Sequence, residues 1–152
     1  MSNSDITVRP ALQADLARVI EIDTEVTGVT KLDYWYEMYA RYGGGIGRQS
    51  RFFLVAERGD GEVLGFILGD VRDWEFGSPP CGWVFGLSVL PGARESGVAT
   101  ELLAGICERF KGTGVTTVRT LLARDNHLVM SFFRSQGMMA APFVALELRL
   151  DE

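Results

Sequence analysis

Between residues 83 and 110 the chain reads WVFGLSVLPGARESGVATELLAGICERF, and its apolar positions change period part-way through. Residues 83–89 form a nearly continuous β-branched and aromatic run, which predicts a strand too buried to alternate. Leu90-Pro91-Gly92 ends it, because proline supplies no ladder donor and glycine permits turn dihedrals. Beyond the turn, Val98, Ala99, Leu102, Leu103, Ile106, Cys107 and Phe110 recur at helical spacing. They predict a helix from near Ser96 with one buried face.

The same reading extends along the rest of the chain. Residues 6–9 predict a short strand stopped by Pro10. Asp15 opens a helix whose apolar positions Leu16, Val19, Ile20 and Val26 lie on one side. A second helix over residues 31–42 carries Trp35, Tyr36, Tyr39 and Tyr42 every three or four positions. Core packing with hydroxyls at the rim competes there with a pocket-lining role. The glycines at 43–45 and 47 read as a connector. Residues 52–57 and 63–71 predict an antiparallel pair joined at Gly59-Asp60-Gly61, with Gly65 and Gly69 marking a bulge or close packing. A loop over residues 72–82 then leads into the central strand. Residues 116–122 predict a further strand. Asp125-Asn126 starts a helix that Gly137 ends. Residues 144–150 alternate (Val144, Leu146, Leu148, Leu150) and predict a final strand.

Composition narrows the class without naming a function. At 152 residues, 47% apolar and 23% charged, the chain predicts one domain over residues 1–152 that buries roughly two-thirds of its unfolded surface. Fifteen basic against twenty acidic residues give a charge of −5, so no nucleic-acid surface is expected. Two cysteines and one histidine have no metal-ligand spacing, and no metal site is expected. The polar start and the lack of about 18 consecutive apolar residues predict a soluble, cytoplasmic protein with no membrane partner.

A strand that runs into a helix through a glycine-bearing turn aims the first free N–H groups of that helix at one point, where phosphate binds. Arg94 and the Ser96 hydroxyl would add to such a site, and Gly97 would remove an obstructing Cβ. A Walker loop is excluded because no lysine lies between Pro91 and Leu103. The spaced glycines of a dinucleotide fingerprint are also missing. Arg94-Glu95-Ser96-Gly97-Val98-Ala99 instead matches Arg/Gln-x-x-Gly-x-Gly/Ala and follows Leu87-Ser88-Val89-Leu90-Pro91. Asn126-(x)5-Phe132-Phe133-(x)3-Gly137-Met138 similarly matches Asn-(x)5-Leu/Phe-Tyr-(x)3-Gly-Phe. The chain therefore resembles the GCN5-related N-acetyltransferase (GNAT) family, with the match specific in residues 87–99 and 126–137.

That resemblance implies a mixed α/β fold of the acyl-CoA N-acyltransferase type, with a central twisted sheet flanked by about four helices. It implies acetyl-CoA as cosubstrate and direct acetyl transfer to a primary amine of a small molecule or protein, and it allows a homodimer. The central strand and its parallel neighbour would splay, freeing backbone groups of Leu87 and Val89 to hold pantetheine and polarise the thioester. Ser88, Arg94, Glu95, Ser96, Gly97, Val98, Ala99, Thr100, Asn126 and Phe133 would complete the cofactor contacts. Asn126 also reads as a helix cap. Trp35, Tyr36, Tyr39 and Phe76 would border the acceptor, with Glu75 as a base or amine-binding carboxylate and, competing with that, as a solvated loop charge. Family members often place a glutamate near the start of the central strand, which falls at about Gly82 here, and a tyrosine acid at the position of Phe133. Those departures keep a second reading open, a non-catalytic acyl-CoA-binding sensor.

Overall fold

The computed structural model describes residues 5–44, 49–94 and 96–151, so Glu95 and most of the glycine connector lie outside the described residues. Two compact units divide the chain, Met1–Leu121 and Leu122–Glu152.

The first unit is a mixed α/β layer structure. It contains β1 (Ile6–Pro10), α1 (Leu16–Thr27), α2 (Leu32–Tyr42), β2 (Arg51–Arg58), β3 (Val63–Arg72), β4 (Cys81–Val89), α3 (Val98–Gly112) and β5 (Val118–Thr120). The five strands lie in sequence order. β1 to β4 pair antiparallel, and α3 carries the chain across to β5, which pairs parallel with β4. Each strand meets its neighbour in sequence; short connections join β2 to β3 and β3 to β4, whereas β1 reaches β2 through α1 and α2 and β4 reaches β5 through α3.

Two helical layers cover the sheet. Leu16, Val19 and Ile22 of α1 and Trp35 and Met38 of α2 cluster with Phe53, Val55, Phe66 and Leu68. Full burial of each such side chain stabilises by about 1.5–3 kcal/mol. Trp35 is 3% exposed and its indole N–H donates to Asp23 at 2.9 Å, while Lys31 pairs with the same carboxylate at 3.1 Å. This places Trp35 in the core cluster, with its side chain packed against Phe53 and Phe66. Val26, expected on the buried side of α1, is 38% exposed, and Ile22 and Asp23 take the buried positions instead.

On the opposite face α3 lies close because Gly69 and Gly82 present no side chains beneath it, and Phe52 of β2 packs edge-on against Phe110 at 5.5 Å. A Cβ on Gly69 would stand 2.6 Å from the Trp83 carbonyl and 2.9 Å from Ile106, and one on Gly82 would stand 2.7 Å from the Phe110 ring. These glycines therefore set the helix-to-sheet distance. The turn before α1 is held by Arg9, which donates to both carboxylate oxygens of Asp15 at 2.7 and 3.0 Å. The Leu12 N–H adds a third bond at 2.7 Å. Burial pushes the Asp15 carboxyl up, but the bonds from Arg9 and Leu12 outweigh it and leave the group below the usual carboxylate range. Among the described residues no helix is long and apolar enough to cross a membrane.

The second unit contains α4 (His127–Ser135), capped by Asn126, whose Oδ1 accepts from the Val129 N–H at 3.2 Å. The predicted strand over residues 144–150 is not formed. These residues adopt no regular structure, and Val144, Leu146, Leu148 and Leu150 are 82%, 92%, 82% and 87% exposed. Alternation makes a segment competent to pair, yet no strand within this unit lies across from it. The predicted strand over 116–122 likewise shortens to Val118–Thr120.

Candidate active site

The centre of the first unit is a change of phase in β4. Leu68 pairs with Gly86 but Gly69 pairs with Val84, so Phe85 is an extra residue in the ladder, a β-bulge. Before the bulge, the Gly82 N–H donates to Thr117 of the neighbouring chain segment at 2.9 Å, and the Val84 carbonyl accepts from the Thr120 hydroxyl at 2.8 Å. After it, the Leu90 N–H donates to Leu64 at 2.8 Å, back toward β3. Backbone direction alternates along a strand, so Ser88 and Gly86 also face β3, while Leu87 and Val89 face the β5 side. Among the described residues the β5 ladder ends at Val84–Thr120. The outward N–H and C=O groups of Leu87 and Val89 thus have no described strand opposite them. The β5 ladder stops just before the bulge, and the bulge selects which residues of β4 face that side. The main chain of Ser88, expected with the cofactor residues, turns instead toward Phe66.

The turn that follows delivers α3 with its N-terminus open. Gly97 is the N-cap at φ +82°, in the left-handed region that suits glycine. The first helical bond runs from Glu101 N–H to Gly97 at 3.1 Å, which leaves the Val98 and Ala99 N–H groups ahead of the intrahelical ladder. Ser96 gives its hydroxyl to the Ala93 carbonyl at 2.6 Å, so the side chain stabilises the turn and offers an incoming group only acceptor capacity. Arg94 is exposed beside it. Together these groups form a strip of donors running from the open edge of β4 to the positive end of a helix dipole.

The α1/α2 face of the sheet carries a chain of polar and aromatic contacts at the same end. Tyr42 donates to Asp70 at 2.8 Å, and its ring meets Phe85 edge-on at 5.3 Å. Arg72 pairs with the second oxygen of Asp70 at 3.1 Å and lies over Trp83, which in turn packs on Phe76 at 6.1 Å. Burial and the bond to Asp70 raise the Tyr42 hydroxyl to about 12, so it remains a donor at any physiological pH. Asp70, Arg72 and Phe85 were not singled out from sequence. The signal was there, since Phe66, Leu68, Asp70 and Arg72 occupy one face at period two. Asp70 accepts from Tyr42 and Arg72 with one oxygen each, which suits a fixed wall better than a free base.

The remaining predicted acceptor residues are spread out. Tyr36 is 56% exposed and Tyr39 is half-buried against the α1/α2 core. Glu75 lies exposed between Trp74 (φ +60°) and Phe76 (φ +55°), two aromatic residues held in the left-handed region and each 69% exposed. Such strain persists where the surroundings over-determine it, and it gathers at functional loops. Gly82 could not carry a glutamate toward this face, because its missing side chain points into Phe110 on the α3 side. In the second unit, Phe133 is buried and its ring packs on Phe132 at 5.3 Å.

The sequence pattern that defines the acetyltransferase (GNAT) family matches residues 16–138. The chain belongs to that family. Over 80 residues this GNAT protein is 32% identical to an L-2,4-diaminobutyric acid acetyltransferase of Nocardia farcinica (strain IFM 10152), covering 53% of this chain and 39% of that one. The match therefore spans well under half the length of that relative. Its fold is similar to that of AAC(6')-Iy solved with the bisubstrate analogue CoA-S-monomethyl-acetylneamine, at a TM-score of 0.81 and 18% identity over 95% of this chain and 97% of that one. The aminoglycoside 6'-N-acetyltransferase AAC(6')-Ih of Acinetobacter baumannii is also similar, at 0.79 and 19% over the same shares.

Proposed function

We propose that this GNAT protein is an acetyl-CoA-dependent N-acetyltransferase whose acceptor is a primary amine on a small molecule. The bulge-phased edge of β4, leading directly into the open N-terminus of α3, carries this reading. The outward amides of Leu87 and Val89 match the alternating donors and acceptors of a pantetheine arm. The Val98 and Ala99 N–H groups, with Arg94 beside them, suit its phosphates. When bound, acetyl-CoA supplies a thioester carbonyl for an amine to attack, with release of the CoA thiol. An N–H of Leu87 or Val89 aimed at that carbonyl stabilises developing negative charge by about 3 kcal/mol. Glu75 on its strained loop would draw in the cationic acceptor, and Trp74 and Phe76 would offer it apolar surface. The similarity to acetyltransferases of aminoglycosides and of diaminobutyrate supports a small, amine-rich acceptor.

Neither Gly82 nor Phe133 carries a titratable group, and this favours a second reading in which the chain binds acyl-CoA without turning it over. Positioning and carbonyl polarisation still leave useful rates, since acid–base terms contribute only about 10² to 10⁴-fold. Thiol release from acetyl-CoA across a panel of amines separates the readings, the panel including aminoglycosides, 2,4-diaminobutyrate and peptide N-termini. Amine-dependent release on any small amine is the expected result. Tight CoA binding with no release above the hydrolytic background would establish the binding module instead.

A further inference from the structure

The sheet face that carries the α1/α2 core continues past it as a polar row. Arg51 of β2 pairs across the ladder with Asp70 of β3, and Asp70 with Trp83 of β4, so the three stand side by side. Arg51 shares the odd β2 positions with Phe53 and Val55 of the core, which puts it on that face. Arg72, two residues beyond Asp70, belongs there as well and donates its Nε–H to the Asp70 carboxylate at 3.1 Å. The other carboxylate oxygen accepts from the Tyr42 hydroxyl at 2.8 Å. Two arginines thus flank one carboxylate, a local cationic excess in a chain of net charge −5. Arg51 is exposed and stands over the Tyr42 ring at 5.8 Å, with no hydrogen-bond or ion-pair partner among the described residues. Arg72 lies over the Trp83 ring at 5.6 Å, and no described residue accepts a hydrogen bond from its two terminal nitrogens. A guanidinium pinned at one edge and stacked on one face offers its remaining donors in a fixed direction.

We propose that this row is an anion subsite for the acceptor, in which Arg51 and Arg72 take a carboxylate at the end remote from the amine that is acetylated. The row borders the Phe85 bulge through Tyr42, and Trp83 precedes Leu87 by four strand residues, about 13 Å. Amine and carboxylate must therefore stand well apart on the molecule that bridges them. A planar carboxylate suits the free edge of an arginine, which can give it two parallel N–H bonds. Asp70 opposes the incoming charge little, because both of its oxygens already accept. Glu75 stands beside Phe76, which packs on Trp83, and is placed to take an ammonium next to that carboxylate. This subsite presupposes the acetyltransferase reading and narrows its acceptor to the α,ω-diamino acids. Aminoglycosides carry amines and hydroxyls but no carboxylate, so the two arginines offer them only repulsion.

The test compares 2,4-diaminobutyrate, ornithine and lysine, each against its own carboxamide, which keeps the size and removes the negative charge. On at least one of the three, kcat/KM for acetyl transfer should favour the acid by about tenfold or more. That preference should fall by about fivefold or more in Arg51→Gln and in Arg72→Gln, with CoA affinity unchanged. Arg51→Gln is the cleaner variant, because it breaks no ion pair within the described residues. Calorimetry of the same compounds into the CoA-saturated chain gives a readout that needs no turnover. Acetyl transfer that ignores the carboxylate, or a preference that survives in both variants, would overturn the subsite and leave the acetyltransferase standing. Carboxylate-selective binding that Arg51→Gln weakens, without any transfer, would uphold the subsite and refute the acetyltransferase. Equal binding of acid and carboxamide throughout would overturn the subsite.

Discussion

The segment from β4 into α3 and the tail over residues 144–150 carry equally regular apolar patterns, and the structure treats them in opposite ways. In the first, Trp83, Val84 and Val89 sit inside a sheet, and Val98, Leu102, Leu103, Ile106 and Phe110 are buried. In the second, every apolar position of the row faces water. The difference lies in what stands opposite. β4 has strands on both sides for its first half, and α3 meets a sheet face whose glycines make room for it. The tail has the periodicity of a strand and nothing in its own unit to pair with. Periodicity states which face seeks burial, whereas the partner is a property of the whole assembly.

A pair of substitutions gives the sharpest test of that contrast. Gly82→Glu forces a Cβ into Phe110 and buries a carboxylate, and should cost about 4 kcal/mol or more in urea unfolding. Leu146→Glu should shift stability by no more than about 0.5 kcal/mol. Comparable losses would mean that the tail is already packed in a single chain. Gly82→Glu also asks whether the usual place for a family glutamate can be refilled, and the geometry says that it cannot.

Within the first unit, the polar anchors sharpen the picture further. Asp15→Asn breaks a mostly buried pair with Arg9 and should cost about 2 kcal/mol at pH 7, reduced from a fully buried pair because Arg9 is partly exposed. The folded carboxyl titrates below its unfolded value, so its contribution is present above pH 4 and is lost as the pH falls through the lowered value. Wild type should therefore lose stability on the acid side faster than Asp15→Asn. Parallel acid limbs would refute the assignment. Tyr42→Phe should cost roughly 1 kcal/mol. Because the folded hydroxyl is raised to about 12, its contribution is complete below pH 10 and fades as the pH rises toward 12. The two proteins should accordingly converge at the alkaline end.

Much of the frame was legible because it depends on local signals. The apolar run at 83–89, the proline-glycine stop and the helical spacing after it each act over a few residues, and the structure follows them closely. The open backbone of Leu87 and Val89 was reached through resemblance, and the bulge at Phe85 supplies its physical cause. The sequence marked that bulge only on the partner strand, at Gly69, where the register shifts, because the strand that carries an extra residue is defined only by its pairing. The burial of Trp35 was hidden for a related reason: a helix bearing five aromatic rings does not reveal which of them meets the sheet until α1 contributes Asp23. Asp70 was overlooked as the polar end of an apolar strand, a position that gains meaning only once Tyr42 and Arg72 arrive beside it. Glu95 lies outside the described residues and adds nothing to this comparison.

Titration calorimetry of CoA into wild type and Gly97→Glu tests most directly whether the β4 edge and the α3 N-terminus form the cofactor seat. Gly97 holds φ +82°, so the variant should lose about 1–2 kcal/mol of stability through backbone strain yet remain folded. Wild type should bind CoA with a Kd in the micromolar range, and the variant should give no heat at the same concentrations. A folded Gly97→Glu protein that binds CoA as tightly as wild type, or a wild type that binds none, would contradict the account.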